Sequence, residues 1–273
     1  MALDRIAALL ELSEAEALWG YQTNAPADVA ERLGLASLRI GGGVVLSVRD
    51  DATDYWSKAL GFGFSEPVTT AMVASITDFY REHGCKQATL QFAPAVLPAG
   101  WDEICAKEGL TEGTTWLKLA RLAGLVESPE TELRVAKVEA ADADEWATVM
   151  TRGFGMPEHQ VVPMMRGVVD MPGWTAYGAW EGGQLVAAAA LLITGEVAEF
   201  PGAATLPEHR GKGAQSALLA ARARQAAAEG VKWLSAETGK PAEGQQNSSL
   251  NNMIRTGFEI RYERKNWTWR QTT

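Results

Sequence analysis

The sequence has 273 residues, 47% of them hydrophobic, which is enough apolar material for two packed domains and excludes a disordered chain. Its formal net charge of -9 argues against a nucleic-acid partner, because such a partner calls for a basic surface. The two cysteines, Cys85 and Cys105, lie in separate predicted elements without metal-ligand spacing. We therefore expect reduced, structural thiols and no metal site.

The charge is distributed unevenly along the chain. Residues 1–130 contain 10 Lys and Arg against 18 Asp and Glu, whereas residues 131–273 contain 15 against 16. The acidic half could attract an amine-bearing acceptor, or its charge could serve solubility alone. The longest apolar run, 185–193, is too short to cross a bilayer, and the first residues lack the layout of a secretion signal, so we expect a cytoplasmic protein with no membrane partner.

The first half is predicted to begin with helices and to continue with strands and helices in mixed order. Residues 1–33 show helical periodicity, and Ser13 is expected to begin a second helix within them. The elements that follow are strands at 35–40 and 44–48, a short apolar segment at 60–64, a helix at 68–83, a strand at 88–92, a helix at 101–107 and a strand at 113–119.

The second half follows a linker at 127–132 that contains Ser128 and Pro129. Its predicted elements are a strand at 133–138, helices at 142–150 and 157–169, hairpin strands at 174–180 and 184–193, and a strand at 197–205. A Gly-rich turn then leads into a helix that ends at Gly230.

Glycines punctuate the two halves at matching intervals. Gly84 and Gly109 are 25 residues apart, Gly230 and Gly257 are 27 apart, and each pair encloses a strand, a loop and a helix. This repeat predicts two copies of one fold. The first copy lacks an equivalent of the later Gly-rich turn, because its own glycine segment, 61–66, ends in an acidic residue where a cation is wanted. We expect it to bind no cofactor and to have a structural or acceptor-shaping role.

The most informative stretch, Thr205–Ser216, reads Thr-Leu-Pro-Glu-His-Arg-Gly-Lys-Gly-Ala-Gln-Ser. No capping side chain stands at Gly211, Lys212 or Gly213, so the first N–H groups of the following helix need another partner. The helix dipole favours an anion there, glycine allows close approach, and Arg210 and Lys212 add positive charge. The stretch therefore predicts a binding site for a phosphate or pyrophosphate.

The spacing of these residues distinguishes between the ligands that such a site could bind. A nucleotide P-loop is excluded because Lys212 is followed by Gly213 and not by Ser or Thr. A dinucleotide site is weakened because Ser216 stands where a third glycine belongs, although Glu237 lies near the position of the expected acidic residue. A plain turn without a ligand is the remaining alternative.

Two motifs resemble the GNAT superfamily of N-acetyltransferases. The pattern Thr-x-Pro-x-x-Arg-Gly-x-Gly-x-Gln at 205–215 resembles its acyl-CoA pyrophosphate loop, although Gln215 departs from the usual small residue. The segment 252–258, Asn-Met-Ile-Arg-Thr-Gly-Phe, resembles its later helix that ends in Gly-Phe. The resemblance covers residues 133–270. It implies an α/β (α+β) fold of two tandem domains, 1–126 and 133–273, each a mixed, mainly antiparallel twisted sheet flanked by helices.

The resemblance also implies an activity, the transfer of an acetyl group from acetyl-CoA, as co-substrate, to the amine of a small molecule in a ternary complex. A monomer or a homodimer fits this activity, and a non-catalytic acyl-CoA-binding module is the alternative. The implied coenzyme-binding residues are Ala204, Thr205, Leu206, Arg210, Gly211, Lys212, Gly213, Ala214, Gln215, Ser216 and Asn252.

Glu199 is the first candidate for the base that deprotonates the amine, since it lies on the strand before the loop, where an apolar cleft would raise its pKa. The alternatives are Glu196, Glu237 and His209, and Glu199 could also be a plain solvent-facing strand residue. Many superfamily members have a Tyr about four residues before Gly-Phe, where this chain has Met253. Tyr262 on the next strand could replace it as the acid, or water could protonate the thiolate.

The acceptor groove is expected to lie in the segment before the core strands. Its candidate lining residues, which could equally fill a core, are Phe154, Met156, Met164, Met165, Met171 and Trp174. Arg152, Arg166 and Asp170 could recognise a charged acceptor.

Overall fold

A computed structural model describes residues 4–271 of the chain; residues 1–3 and 272–273, at the ends of the two predicted domains, lie outside it. The helices are α1 (Arg5–Thr23), α2 (Ala27–Leu33), α3 (Thr70–Glu82), α4 (Trp101–Glu108), α5 (Ala143–Phe154), α6 (Glu158–Met165), α7 (Ala214–Ala228) and α8 (Ser248–Arg255). The strands are β1 (Leu35–Ile40), β2 (Gly43–Val48), β3 (Lys58–Leu60), β4 (Gln87–Gln91), β5 (Leu110–Leu122), β6 (Arg134–Lys137), β7 (Trp174–Glu181), β8 (Gln184–Thr194), β9 (Val197–Glu199), β10 (Ala203–Thr205), β11 (Trp233–Gly239) and β12 (Glu259–Arg270).

One long helix opens the fold, so the predicted helix start at Ser13 is wrong. Asp4 caps α1 by accepting a hydrogen bond from the N–H of Ile6, and the helix then continues unbroken through Ser13. The Ser13 hydroxyl has two acceptors within reach for its one proton, the Glu199 carboxylate at 2.7 Å and the Leu10 carbonyl at 3.0 Å, so it is satisfied inside the helix. A serine beside two glutamates suggested a cap in the sequence because capping and helix-interior serines look alike until their partners are known.

The twelve strands found in residues 4–271 belong to one mixed, mainly antiparallel sheet, in the order β1-β2-β3-β4-β12-β5-β11-β9-β8-β7-β6, with β10 paired to β8. The last strand of each half lies in the other half. Strand β12 is inserted between β4 and β5, and β5 pairs with β11 from Trp233↔Leu122 to Gly239↔Trp116. The two halves of the chain are therefore joined through exchanged strands.

Helices cover both faces of the sheet, and each face has its own core. Helices α1, α2, α5 and α6 pack on one face, whereas α3, α4, α7 and α8 pack on the other. Strand β8 shows the consequence, because Ala188, Ala190 and Leu192 point into one core while Ala187, Ala189 and Leu191 point into the opposite one. A strand buried on both sides reads as the continuous apolar run seen in the sequence.

The strand predicted at 197–205 is broken in two, and this break creates the site. Both β9 and β10 pair with β8, but residues 200–202 interrupt the ladder between them. Strand β9 also runs parallel to β11, with Glu199↔Ser235 as the last pair, whereas β10 has no pairing with β11. The sheet therefore opens into a wedge between β10 and β11. Across residues 4–271, no helix is both long enough and apolar enough to cross a membrane.

Candidate active site

A cleft of about 860 Å³ occupies the wedge between β10 and β11. Its walls come from β10, the start of α7, β11 and α8 in the second half of the chain, and from α1 and β5 in the first half. The cleft is therefore built by both halves and is large enough for a small ligand together with part of a larger one.

The Gly-rich turn lies at one end of this cleft, at the beginning of α7. Gly213 is the N-cap residue, its φ of 83° is the left-handed conformation that glycine favours, and it provides no capping side chain. Within residues 4–271, no protein group accepts a hydrogen bond from the N–H groups of Ala214, Gln215 or Ser216. Since all three residues line the cleft, the free amides are available to an anionic ligand.

The two cations predicted for this turn behave differently. The Arg210 guanidinium lines the cleft and is held by the carbonyls of Thr205 and Gly153, each at 3.3 Å. Lys212 does not line the cleft, and its ammonium binds the Glu181 carboxylate at 2.6 and 2.8 Å. Of these two cations, Arg210 is the one that faces the cleft and has no carboxylate partner among residues 4–271.

The edge of β10 forms the wall beside the turn. The carbonyls of Ala203 and Thr205 point away from β8, where they accept hydrogen bonds from the side chains of Gln215 and Arg210. Helix α5 approaches this edge so closely that a Cβ added to Gly153 would lie 2.5 Å from the Ala204 side chain. Of the predicted β10 residues, Ala204 and Thr205 line the cleft, whereas Leu206 is buried away from it.

Helix α8 contributes a polar rim to the same end of the cleft. Asn252 lines the cleft as predicted, and its side-chain carbonyl accepts a hydrogen bond from Arg255. Ser248, Ser249 and Arg255 also line the cleft, and the sequence analysis missed them. Their proximity to the turn depends on how α8 packs, which no local motif specifies.

Two glutamates lie at the inner end of the wedge, one behind the other. Glu237 on β11 lines the cleft, while Glu199 is fully buried and does not. Burial, followed by the nearby carboxylates of Glu14 and Glu199, raises the pKa of Glu237 well above its usual range. Ser13 donates to one Glu199 oxygen at 2.7 Å and the other oxygen has no hydrogen-bond donor, so a neutral Glu237 can donate its proton to Glu199.

A buried ion network beneath α1 supports these carboxylates. The Lys118 ammonium lies 2.7 Å from Glu14 and 3.4 Å from Glu237, and Arg264 binds Glu11 and Glu14 at 2.6 and 2.7 Å. Burial alone would raise the pKa of Glu14, but Arg264 and Lys118 hold it well below its usual range. Lys118, Arg264, Glu11 and Glu14 thus each have a partner of opposite charge, as buried ions require.

Tyr262 belongs to this network and not to the cleft wall. Its hydroxyl donates to Glu11 at 2.8 Å, and burial followed by Glu11 raises its pKa above the usual range. Met253, at the position where a tyrosine was expected, does line the cleft. Of the other two proposed bases, Glu196 lies outside the cleft and pairs with Arg5 and Lys232. His209 lines the cleft beside the Gly-rich turn and lies 2.6 Å from Glu181.

The region before the core strands is divided between cleft and core. Phe154, Met156 and Met165 line the cleft, whereas Met164 and Trp174 are core residues. Two of the three charged candidates are engaged elsewhere, because Arg152 binds Glu158 and Arg166 binds Asp144. The third, Asp170, is exposed and does not line the cleft.

An aromatic wall from the first half closes the inner end of the cleft, and the sequence analysis did not find it. Its members are Tyr21, Tyr55, Trp56 and Trp116, together with Glu14. One signal was present, since Lys118 stands between Leu117 and Leu119 in a predicted strand, and a lysine buried there would need an acidic partner.

Part of the sequence that forms the cleft matches a known protein family. Residues 144–247 match the model of the acetyltransferase (GNAT) family. No curated protein matches the sequence. Several solved structures share the fold over almost the whole chain, all at identities too low to show more than the fold.

A GCN5-related N-acetyltransferase from Kribbella flavida is 19% identical with a TM-score of 0.59, covering 91% of this chain and 95% of that one. A tandem GNAT protein from the clavulanic acid biosynthesis pathway is 18% identical with a TM-score of 0.56, covering 98% and 95%. A GCN5-related N-acetyltransferase from Sphaerobacter thermophilus is 13% identical with a TM-score of 0.54, covering 97% and 93%. The two-copy fold expected from the glycine repeat thus has a tandem GNAT counterpart.

Proposed function

Because residues 144–247 belong to the acetyltransferase (GNAT) family, we propose that the protein is an N-acetyltransferase that moves the acetyl group of acetyl-CoA to the amine of a small molecule. The observation that carries this proposal is the uncapped start of α7, where free amides face the cleft beside Arg210. These groups fit the pyrophosphate of a coenzyme, which needs several N–H donors and a cation.

The residues proposed to hold the coenzyme extend from the turn along β10. The amides of Gly213–Ser216 and the Arg210 guanidinium would bind the pyrophosphate, the edge of Ala204 and Thr205 would lie beside the pantetheine arm, and Asn252 would contact that arm from α8. Gly211 allows close approach of the ligand. Lys212 and Leu206, which were also predicted, point away from the cleft and would act on the loop only indirectly.

The proposed proton acceptor is Glu237, with Glu199 as the residue that positions it. Glu237 faces the cleft and, with its raised pKa, is a stronger base than an exposed carboxylate. The amine nitrogen would attack the thioester carbonyl carbon, the carbon–sulfur bond would break, and the proton lost by nitrogen would pass to the ionised form of Glu237, which therefore has to lose its own proton first. Since the hydroxyl of Tyr262 binds Glu11 outside the cleft, water is the proposed proton source for the departing thiolate.

The test is the release of free thiol from acetyl-CoA in the presence of a panel of primary amines, combined with calorimetric titration of CoA. Thiol release that depends on one class of amine supports acyl transfer. CoA binding without thiol release for any amine would favour the second candidate, an acyl-CoA-binding module, which the position of Tyr262 favours. Binding of NAD in preference to CoA would contradict both.

We also propose that the two copies indicated by the repeat have different roles. Residues 1–126 form a domain that binds no coenzyme, residues 127–132 form a linker, and residues 133–273 form the coenzyme-binding domain. The Gly-rich turn within 133–273, and the aromatic wall supplied by 1–126, support this division. A cytoplasmic location and a monomeric or homodimeric state complete the proposal. Light scattering of the purified protein would test the oligomeric state.

A further inference from the structure

Arg222 on α7 is a buried cation on the cleft wall. Only 4% of its surface is exposed, yet it lines the cleft, as does Phe200, whose ring centroid lies 4.3 Å from the guanidinium carbon. Among residues 4–271, no carboxylate pairs with this guanidinium. Arg222 therefore brings to the cleft a positive charge that the described part of the protein does not neutralise.

The guanidinium lies at the break between β9 and β10. In a regular antiparallel ladder, Ala190 and Gly202 would exchange two hydrogen bonds. The Ala190 N–H does donate to the Gly202 carbonyl at 3.1 Å, but the Gly202 N–H turns back to the Phe200 carbonyl at 2.7 Å. Nη1 of Arg222 donates to the Ala190 carbonyl at 2.9 Å and lies 3.4 Å from the Gly202 carbonyl. Arg222 thus replaces the missing backbone donor and stabilises the break.

Replacing one backbone N–H does not require a charge. A neutral amide could donate to the Ala190 carbonyl, whereas a guanidinium buried without a counter-ion destabilises the fold. Burial lowers the pKa of Arg222 to about 9, while Tyr21 on α1 and Tyr177 on β7 oppose that change, so the side chain is charged at neutral pH. A buried charge of this kind on a cleft wall indicates a negatively charged ligand group.

One nitrogen of the guanidinium is left for such a group. Nε donates to the Leu218 carbonyl at 3.3 Å, and Nη1 binds the two carbonyls at the break. Nη2 donates to no protein group within residues 4–271. A carboxylate binds best to two neighbouring guanidinium nitrogens, and here every such pair includes a nitrogen that is already engaged. A single anionic atom needs only Nη2.

The two cations of the cleft wall mark opposite ends of β10. Arg210, beside the proposed pyrophosphate site, contacts the carbonyl of Thr205 at the end of β10 nearest the turn. Arg222 contacts the carbonyl of Gly202, the residue just before β10 begins. A pantetheine arm that lies along β10 would run from one cation toward the other. Its sulfur, at the end of the arm, would therefore approach Arg222.

We propose that Nη2 of Arg222 donates a hydrogen bond to the coenzyme sulfur and stabilises the thiolate that leaves during acyl transfer. This inference rests on the proposed function, since the sulfur is that of acetyl-CoA. When the carbon–sulfur bond breaks, both bonding electrons stay on sulfur, and the guanidinium offsets this charge until water donates a proton. Met253 cannot act in this way, and Tyr262 is bound to Glu11 outside the cleft.

The test compares CoA with desulfo-CoA, in which a hydrogen replaces the thiol group. Calorimetry measures the affinity of both for the full-length protein over about pH 6 to 10, a range that includes the ordinary pKa of a thiol. Desulfo-CoA cancels the titration of groups on the protein, including Tyr21, Tyr177 and Glu237. The variants are Arg222→Gln, which keeps a neutral donor for the Ala190 carbonyl, and Arg222→Lys, which keeps the charge.

The matched control is Arg224→Gln, which removes an exposed arginine from the same helix. In the wild type and in this control, the ratio of CoA affinity to desulfo-CoA affinity should rise with pH by at least about 10-fold, because a thiolate beside a cation has a lowered pKa. In Arg222→Gln the ratio should not change with pH, while desulfo-CoA affinity remains. Arg222→Lys should recover part of the rise.

The same charge should support turnover. We expect Arg222→Gln to lower kcat about 10²- to 10³-fold, as the loss of a donor to a developing negative charge predicts. Thermal unfolding shows whether each variant is folded. A ratio that is independent of pH in the wild type would overturn the proposal whatever the variants do. Equal losses of CoA and desulfo-CoA affinity in Arg222→Gln would also overturn it, because Arg222 would then only support the break.

The two proposals fail in different ways. A ratio that rises with pH only when Arg222 is present, without thiol release for any amine, would contradict the acyl transfer and keep the thiolate site. Thiol release with one class of amine, together with a ratio that is the same at every pH in the wild type, would keep the acyltransferase and contradict the role of Arg222.

Discussion

The ammonium of Lys118 on β5 lies 2.7 Å from the Glu14 carboxylate on α1, and both side chains are buried. Strand β5 comes from the first half of the chain and pairs with strands of the second half. Strand β12 comes from the second half and pairs with strands of the first, and its Arg264 binds the same glutamate. Helix α1 is therefore attached to both exchanged strands through one residue. Because Glu14 also lines the cleft, the structure of the cleft depends on this attachment.

We expect Glu14→Gln to destabilise the protein by about 3–5 kcal/mol, because it leaves Lys118 and Arg264 buried with too little negative charge. Urea denaturation followed by circular dichroism measures the change. The control is Glu16→Gln on the same helix, which breaks an exposed ion pair with Arg39 and should cost at most about 1 kcal/mol. Similar losses in the two variants would show that the buried network contributes no more than a surface pair.

The proposed pyrophosphate site predicts that two neighbouring cations contribute differently to CoA affinity. Arg210→Glu should weaken CoA binding at least about 10-fold, since it removes a charge-assisted contact and adds a repulsive charge beside the free amides. Lys212→Gln should have little effect, because the Lys212 ammonium is bound to Glu181 away from the cleft. Calorimetric titration of CoA measures both. A larger loss in Lys212→Gln than in Arg210→Glu would place the anion on the other side of the turn.

Glu237 should control the rate and its dependence on pH. Glu237→Gln keeps the shape and the neutral charge of the resting side chain, so CoA affinity and stability should remain, while kcat falls about 10²- to 10⁴-fold. In the wild type kcat should rise with pH through the raised pKa of Glu237, because the base works only when ionised. The surface variant Glu196→Gln should keep the wild-type pH profile. A Glu237→Gln enzyme with the same ascending limb would assign the base to another group.

The coenzyme end of the site could be read from the sequence because its chemistry is local. An uncapped helix start, two glycines and an arginine lie within a few residues, and the free amides at Ala214, Gln215 and Ser216 follow from the missing cap. The motif did not reveal that Glu181, distant in sequence, binds Lys212. A motif therefore shows which side chains are cationic, but whether they can bind a ligand depends on the partners that folding brings near them.

The acceptor end could not be read in this way because it is assembled from distant segments. Tyr55 and Trp116 meet Glu237 only because β5 is inserted beside β11, and the glycine repeat predicts two copies without predicting exchanged strands. The break at 200–202 was also not predictable from local sequence. The continuous predicted strand placed Glu199 at the reaction centre, whereas in the structure Glu199 is fully buried and does not line the cleft. The elements followed from periodicity and the fold from the resemblance of the two motifs, whereas the contacts between the halves depend on the sheet order.

Lys58 should also make stability depend on pH in a defined direction. Burial lowers the pKa of Lys58 from its usual 10.5 to about 8, so the unfolded chain binds this proton more tightly than the folded one. The resulting loss of stability is about 3 kcal/mol at most. The penalty is complete below pH 8 and is relieved as the pH rises from 8 to 10.5. Glu14, Glu237 and Asp51 face this ammonium and oppose the penalty, while Arg264 adds to it.

The advantage in stability of Lys58→Met over the wild type should therefore be largest below pH 8 and shrink toward pH 10.5. Urea unfolding of both proteins at a series of pH values measures this difference, in which all other titrating groups largely cancel. A difference that stays constant from pH 7 to 10.5 would mean that Lys58 titrates normally in the folded protein.

The exchanged strands predict that neither half folds alone. A fragment of residues 1–126 would keep β5 without its neighbours β12 and β11, and a fragment of residues 127–273 would lose the strand that lies between its own β11 and β12. Each would expose unpaired strand edges and buried apolar surface. Co-expressed, the two fragments should purify together and unfold as one cooperative unit, whereas omitting residues 259–273 from the second should prevent association. A cooperative unfolding transition for 1–126 alone would show that β12 is dispensable to the first half.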